Sequence, residues 1–240
     1  MVDSWSLKIV MVTSIPKLII IMGPPGSGKG TQAQLLKEKY SCNYIATGDL
    51  VREMYKKAAT GDPLGLEVKK RYDRGEPQPD DIILKFVRQK LITIDTQRGI
   101  IFDAFPLSEA QARGLDEIIK DFKLDKPVAI NIKVGEEDVV QRLSLRKYCP
   151  KDNSVYYPKS PTYDSNKCEK CGKGLIRRAD DEAGVVRKRY KKYIDRINVL
   201  VMYYEKRNQL ISINGEQSVE KVASEIEQRL STYQSDYAQK

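Results

Sequence analysis

A chain of 240 residues with 40% hydrophobic content can bury one good core and carry small insertions within it. Its uninterrupted apolar runs, such as Ile9 to Val12 and Leu18 to Met22, are far too short to cross a bilayer, and no convincing signal peptide precedes them, so a soluble cytoplasmic protein without membrane attachment is expected. The formal net charge of +9 would suit a polyanion, but the basic residues are dispersed and no basic stripe is interleaved with aromatics, which argues against nucleic acid as the main partner.

Residues 1 to 16 carry no usable motif and are given no function. The run Leu18 to Met22 reads as a buried strand, and Gly23-Pro24-Pro25-Gly26-Ser27-Gly28-Lys29-Gly30-Thr31 follows it directly, ahead of a helix from Gly28 to Tyr40. Strand, glycine-rich loop, lysine and helix in that order make a phosphate site. Glycines admit left-handed conformations that aim successive N–H groups at one anion, and the helix N-terminus adds its partial positive charge. Lys29 brings a mobile full charge to the outer phosphates.

Next come a short strand, Asn43 to Ala46, and helices at Asp49 to Thr60, Pro63 to Arg74 and Asp81 to Thr93. A strand at Gly99 to Asp103, a helix at Ser108 to Asp121, a buried strand at Val128 to Val134 and a helix at Glu136 to Lys147 continue the alternation that marks a parallel sheet. From Tyr148 to Arg178 neither helical nor sustained strand period survives, so this stretch reads as an inserted unit. A long helix from Asp181 to Arg207, a strand from Leu210 to Asn214 and a helix capped by Ser218 complete the chain. Ligands of such sheets sit at the carboxyl ends of the strands.

Gly30 after the lysine, with the hydroxyl one place later at Thr31, departs from the general phosphate-loop pattern, and GPPGSGKGTQ resembles the loop of the nucleoside monophosphate kinases, adenylate kinases in particular. The resemblance spans about residues 17 to 235 and implies an α/β fold of the P-loop kinase type, three layers with a central parallel sheet flanked by helices, plus a lid insertion. It implies a core at 17–147 and 179–235, an acceptor-binding segment at 47–77, a lid at 148–178 and a tail at 236–240. The implied reaction is reversible phosphoryl transfer from Mg²⁺-ATP to AMP, giving two ADP, by a monomer that needs no histidine and has none. ATP would be held by Gly26, Ser27, Gly28, Lys29, Gly30 and Thr31.

Thr47-Gly48-Asp49-Leu50-Val51-Arg52 resembles the family's TGD motif, so Thr47 inherits the contact with the AMP base and Arg52 the acceptor phosphate; Gln78 and Gln111 join them, Gln111 reading the adenine edge. Phe102-Asp103-Ala104-Phe105-Pro106-Leu107 resembles the DGFPR segment, whose aspartate touches the magnesium shell. Ala104 and Leu107 replace its glycine and arginine. Losing one charged hydrogen-bonding group costs about 1.5–3 kcal/mol, or roughly 10- to 150-fold in acceptor affinity, and Arg113 is close enough in sequence to be expected to compensate.

Arg142 and Arg146, at i, i+4 spacing before the insertion, and Arg178 and Arg189 after it match the family's arginines. Arg142 would cover the donor base. Arg146, Arg178 and Arg189, with Lys29 and Asp103, would surround a transferring phosphoryl group whose charge spreads over three oxygens. Leu145 and Ala183-Gly184 stand where the family often has glycine and acidic residues.

Within the insertion, Cys149-Pro150-Lys151-Asp152 and Cys168-Glu169-Lys170-Cys171 resemble the paired knuckles of metal-bearing adenylate kinase lids. Three thiolates and one carboxylate can complete a tetrahedral structural Zn²⁺ site with no open position for a catalytic water, with Cys149, Asp152, Cys168 and Cys171 as ligands and Asp164 the nearest substitute acid. A redox CxxC, or three thiols without a metal, are the alternatives. Cys42 reads as packing. Two rival functions stay open: a kinase for UMP or CMP, and a nucleotide-binding protein that has lost transfer through Leu107.

Overall fold

Along the chain run β1 (Leu18–Met22), α1 (Lys29–Tyr40), β2 (Asn43–Ala46), α2 (Thr47–Lys57), α3 (Pro63–Asp73), α4 (Asp80–Ile92), β3 (Ile100–Asp103), α5 (Glu109–Asp121) and β4 (Val128–Lys133). There follow α6 (Glu136–Ser144), β5 (Lys147–Tyr148), β6 (Val155–Tyr156), α7 (Ala183–Glu205), β7 (Leu210–Asn214) and α8 (Val219–Ala238). The computed structural model describes residues 15–74, 76–152, 154–158, 160–177 and 181–238. Most of the expected N-terminal extension therefore lies outside the described residues.

Five strands form one parallel sheet in the order β2-β3-β1-β4-β7. Every residue of β1 is buried, because a parallel sheet is covered on both faces and its central strand has no wet side. Side chains alternate across the pleat accordingly. Leu18, Ile20 and Met22 join the cluster that holds Met54, Val68, Phe86, Leu115, Leu200 and Tyr204, from α2 to α5 and α7. Ile19 and Ile21 point the other way, among Ala33, Leu36, Val139, Leu143 and Ile226 from α1, α6 and α8. The expected three-layer architecture is present. Among the described residues no helix is long and apolar enough to cross a membrane.

The expected helix to Lys147 ends at Ser144, with Arg146 N donating to Leu143 O at 3.1 Å, because Lys147 and Tyr148 are claimed by pairing with Val155 and Tyr156 and by a bridge from Tyr148 to Ile176. Arg142 and Arg146 therefore do not share a helix. β1 lies between β3 and β4, so the loop leaving its carboxyl end opens at the point where the strand order turns, the position at which such sheets bind ligands.

Candidate functional site

Two glycines give the loop after β1 its shape. Gly26 and Gly28 have φ of 82° and 89°, and a Cβ on Gly26 would meet Leu143 Cγ at 2.9 Å, so other residues would be strained at both places. Ser27 N closes the turn onto Pro24 O at 3.0 Å. Gly28 caps α1 without a side-chain hydrogen bond, and the first turn, containing Lys29, Gly30 and Thr31, has no acidic residue. The leading N–H groups of α1 thus keep their dipole uncompensated from within the helix, an arrangement that suits an anion.

Lys29 is half-buried, and its Nζ donates to Pro24 O at 3.4 Å. Burial pulls the ammonium below the ordinary lysine value, Asp103 opposes that pull, and Arg189 and Arg146 add to it. Those couplings place Lys29, Asp103, Arg146 and Arg189 in one electrostatic neighbourhood, although they come from α1, β3, the turn after α6 and α7. Asp103 is buried at the end of β3, where its Oδ2 accepts from Tyr44 Oη at 2.7 Å. Its Oδ1 is buried and has no partner, as is Ser27 Oγ. Tyr44, not foreseen from sequence, is held far toward its neutral form by burial and by Asp103.

Arg146 is anchored by a second unforeseen residue. Its Nε donates to Asp181 Oδ2 at 2.8 Å and its Nη2 to Oδ1 at 2.5 Å, and the two side chains are only 13% and 4% exposed. Asp181 stands in the run Arg178-Ala179-Asp180-Asp181, so the doubled acid beside the expected arginine was the available signal. Arg178 itself lies outside the described residues. Arg142 Nη2 donates to Gly215 O at 2.8 Å, tying α6 to the loop between β7 and α8, and Arg187 joins α7 to Glu137 of α6.

Beyond the turn that follows Asp103 lies a cavity of about 690 Å³, lined by Leu107 and within the usual range for small-molecule sites. It collects Thr47, Arg52, Gln78, Leu107 and Gln111, together with Asp80 and Arg196, which the sequence did not single out. Thr47 Oγ1 donates to Ala104 O at 3.1 Å, fastening the start of α2 to the turn after Asp103. Ala104 takes a φ of 54°, the left-handed conformation that glycine adopts without cost.

Arg52 pairs with Asp49 at 2.5 Å on the exposed side of α2. Gln78 Nε2 donates to Val68 O at 3.2 Å, leaving its buried Oε1 without a partner. Gln111 is engaged at both ends: Oε1 accepts from Leu107 N at 2.8 Å and Nε2 donates to Asp80 Oδ1 at 2.7 Å. Arg113 does not reach this cavity. Its guanidinium pairs with Glu109 at 2.6 Å on the outer face of α5, where the i, i+4 spacing favours that partner over one beside Leu107. The expected compensation by Arg113 is therefore corrected.

In the insertion, β5 and β6 form a hairpin whose core is Cys149, Tyr156, Cys168 and Leu175. The ligand atoms of Cys149, Asp152, Cys168 and Cys171 all lie within 4.8 Å of one another. Cys149 Sγ is 3.5 Å from Cys171 Sγ, and Cys168 Sγ is 3.3 Å from Asp152 Oδ2. Zn–S bonds of about 2.3 Å in tetrahedral geometry would set thiolates about 3.7 Å apart, so the donor set fits a metal ion with little rearrangement. Backbone donation from Ser154 holds Asp152 ionised with a pKa of about 2, while burial pushes the Cys149 thiol up to about 11. Asp164 is exposed and stands outside the cluster. Cys42 is buried against the turn at Gly99, as expected of a packing residue.

Comparison with known proteins bears on this arrangement. The adenylate kinase family profile matches residues 21–209. The adenylate kinase of Archaeoglobus fulgidus is 40% identical over 210 residues, covering 87% of this chain and 95% of that protein. Those of Thermodesulfovibrio yellowstonii and a Geobacillus species are 39% and 37% identical over 211 and 213 residues, at 87% and 88% of this chain and 96% and 97% of theirs.

Proposed function

The chain belongs to the adenylate kinase family and is an ATP:AMP phosphotransferase, and from that premise we propose how its own residues divide the work. The observation that supports the division best is the segment from Asp103 to Leu107. At one end Asp103 faces the phosphate loop, with Gly30 so close that an added Cβ would come within 3.6 Å of its Oδ2. At the other end Leu107 lines the cavity at Thr47. Two nucleotides bound on either side of this segment would meet end to end over Lys29, Arg146 and Arg189.

The loop from Gly26 to Thr31 takes the ATP phosphates, with the N–H groups of α1 and the Lys29 ammonium as donors, and Arg142 covers the donor base. Thr47, Arg52, Gln78 and Gln111 take AMP, Arg52 exchanging Asp49 for the acceptor phosphate and Gln111 exchanging Asp80 for the base edge. Arg146, Arg189 and Arg178 neutralise the charge of the transferring group. The acceptor phosphate is already a competent nucleophile, so alignment and charge stabilisation are the whole task of the protein.

Mg²⁺ arrives with ATP and offsets charge on its outer phosphates; the unpartnered Oδ1 of Asp103 suits its hydration shell. Zn²⁺ would be held by Cys149, Asp152, Cys168 and Cys171, where it ties the hairpin to the loop beyond it and supplies no chemistry. The lid at 148–178 and the acceptor segment at 47–77 close over the nucleotides and exclude water, a competing acceptor.

Purified protein given Mg²⁺-ATP and, in turn, AMP, UMP or CMP tests the assignment. ADP formation in preference with AMP is expected; preference for a pyrimidine, or binding without transfer, would replace it with one of the two rival readings.

A further inference from the structure

Three arginines line the acceptor cavity, and the charges around them differ. Arg52 is paired with Asp49, and Arg71 faces Glu76, which also takes Arg74 at 3.3 Å. Asp80 is engaged by Ser108 Oγ and Gln111 Nε2. Among the described residues, Arg196 is the cavity arginine with no carboxylate within ion-pair distance and no hydrogen bond. A phosphate monoester entering here can draw on Arg196 without displacing an internal partner, so the electrostatic gain is not offset by a broken pair.

Its position suits the task. Arg196 lies on α7 two turns beyond Arg189, about 10 Å along the axis and on nearly the same face, and α7 is fixed to α5 by Tyr203 Oη donating to Asp116 at 2.5 Å. Arg52 and Arg71 are carried instead by α2 and α3, within the segment from Thr47 to Asp73. Leu107, which ends the turn after β3, lines the same cavity with an apolar side chain and adds no cation of its own.

Resting on the assignment of this cavity to AMP, we propose that Arg196 is the acceptor-phosphate residue that makes up for Leu107, holding AMP from α7 where another charge would otherwise come from position 107. It binds substrate and sets acceptor affinity and leaves the donor site alone.

The test compares Arg196→Met, which keeps the stem, with Arg196→Lys, and adds Leu107→Arg to the first. Steady-state kinetics with each substrate varied, and calorimetric titration of AMP without ATP, are read at two ionic strengths. Arg196→Met is expected to raise the KM and Kd for AMP about 10- to 100-fold with the KM for ATP within twofold, and to flatten the salt dependence of AMP binding. Arg196→Lys should recover part of the loss, and Leu107→Arg in the Arg196→Met background should recover most of it, while giving a smaller gain in the parent protein.

A folded Arg196→Met protein with AMP affinity within twofold of the parent overturns the proposal, as does failure of Leu107→Arg to rescue it. Either result leaves the kinase assignment standing if the parent transfers phosphate to AMP. A parent that never does so would remove that assignment, and with it the premise of the proposal.

Discussion

Asp181 holds Arg146 through two parallel hydrogen bonds of 2.8 and 2.5 Å in a pocket where the carboxylate is 4% exposed. A buried charge left without its partner destabilises a protein by about 3–5 kcal/mol, and a guanidinium freed from its fork no longer has one preferred direction. Asp181→Ala should therefore lower the melting temperature and cut kcat by about 10²- to 10³-fold, the effect of losing one preorganised electrostatic donor. Calorimetry and single-turnover transfer separate the two effects. A loss of stability with kcat unchanged would make the pair a scaffold contact alone.

Lys29 gives a prediction with a pH sign. Burial lowers its pKa from 10.5, helped by Arg189 and Arg146, so the folded protein bears a cost that is full below the lowered value and is lost as pH rises from there to 10.5. Lys29→Met should remove it, raising the melting temperature of the ligand-free protein near neutral pH by about 2–4 °C while lowering the chemical step by several orders of magnitude. Phosphate binding favours the charged form, so ATP affinity in the parent should weaken on the alkaline side before pH 10.5 is reached. Titrations of ATP from neutral to alkaline pH measure this; a profile flat to the ordinary lysine range would show that the shift does not reach function.

At Ala104, beside the site, a side chain stands in a backbone conformation suited to glycine, with φ of 54°. Left-handed backbone costs a residue with a Cβ about 1–2 kcal/mol, whereas an added glycine loosens the unfolded chain by about 0.4–1 kcal/mol. Ala104→Gly should consequently leave the melting temperature unchanged or slightly raised, in contrast to most alanine-to-glycine changes. Thr47 leans on the Ala104 carbonyl at 3.1 Å, so relief of strain there should also change the KM for AMP more than that for ATP. A marked drop in stability would mean the Cβ contributes packing that outweighs the strain.

What could be read from sequence was what local chemistry determines. The phosphate loop was legible because an apolar strand, glycines at left-handed positions, a lysine and a helix start are adjacent in the chain, and all appear where expected. The end of α6 was not, because helical period continues through Lys147 while the true stop comes from pairing with Val155, Tyr156 and Ile176. Distance along the chain is also a poor guide to the cation that reaches the cavity at Leu107. Arg113 is six positions away but belongs to Glu109, one turn back on its own helix, whereas Arg196 reaches the cavity only because α7 packs on α5. Gln111 was visible as a base reader; its capture by Asp80, from another helix, was not.

The lid offers a prediction that separates metal from redox chemistry. Three thiols and the ionised Asp152 converge within 4.8 Å, and burial pushes Cys149 up to about 11, so a metal would have to displace its proton to bind. Protein purified without chelator should contain one zinc per chain, retained at neutral pH and released as acidification protonates the thiolates. Cys168→Ser, or stripping with a strong chelator, should expose the stretch from Tyr148 to Ile176 to limited proteolysis and lower kcat through slower closure, while the sheet core, built from separate clusters around β1, keeps its cooperative melt. Metal analysis gives the stoichiometry, and digestion followed by mass spectrometry locates the opened segment. If no zinc is found and mild oxidants instead link Cys168 to Cys171 reversibly with a change in rate, the pair acts as a redox switch and the metal assignment fails.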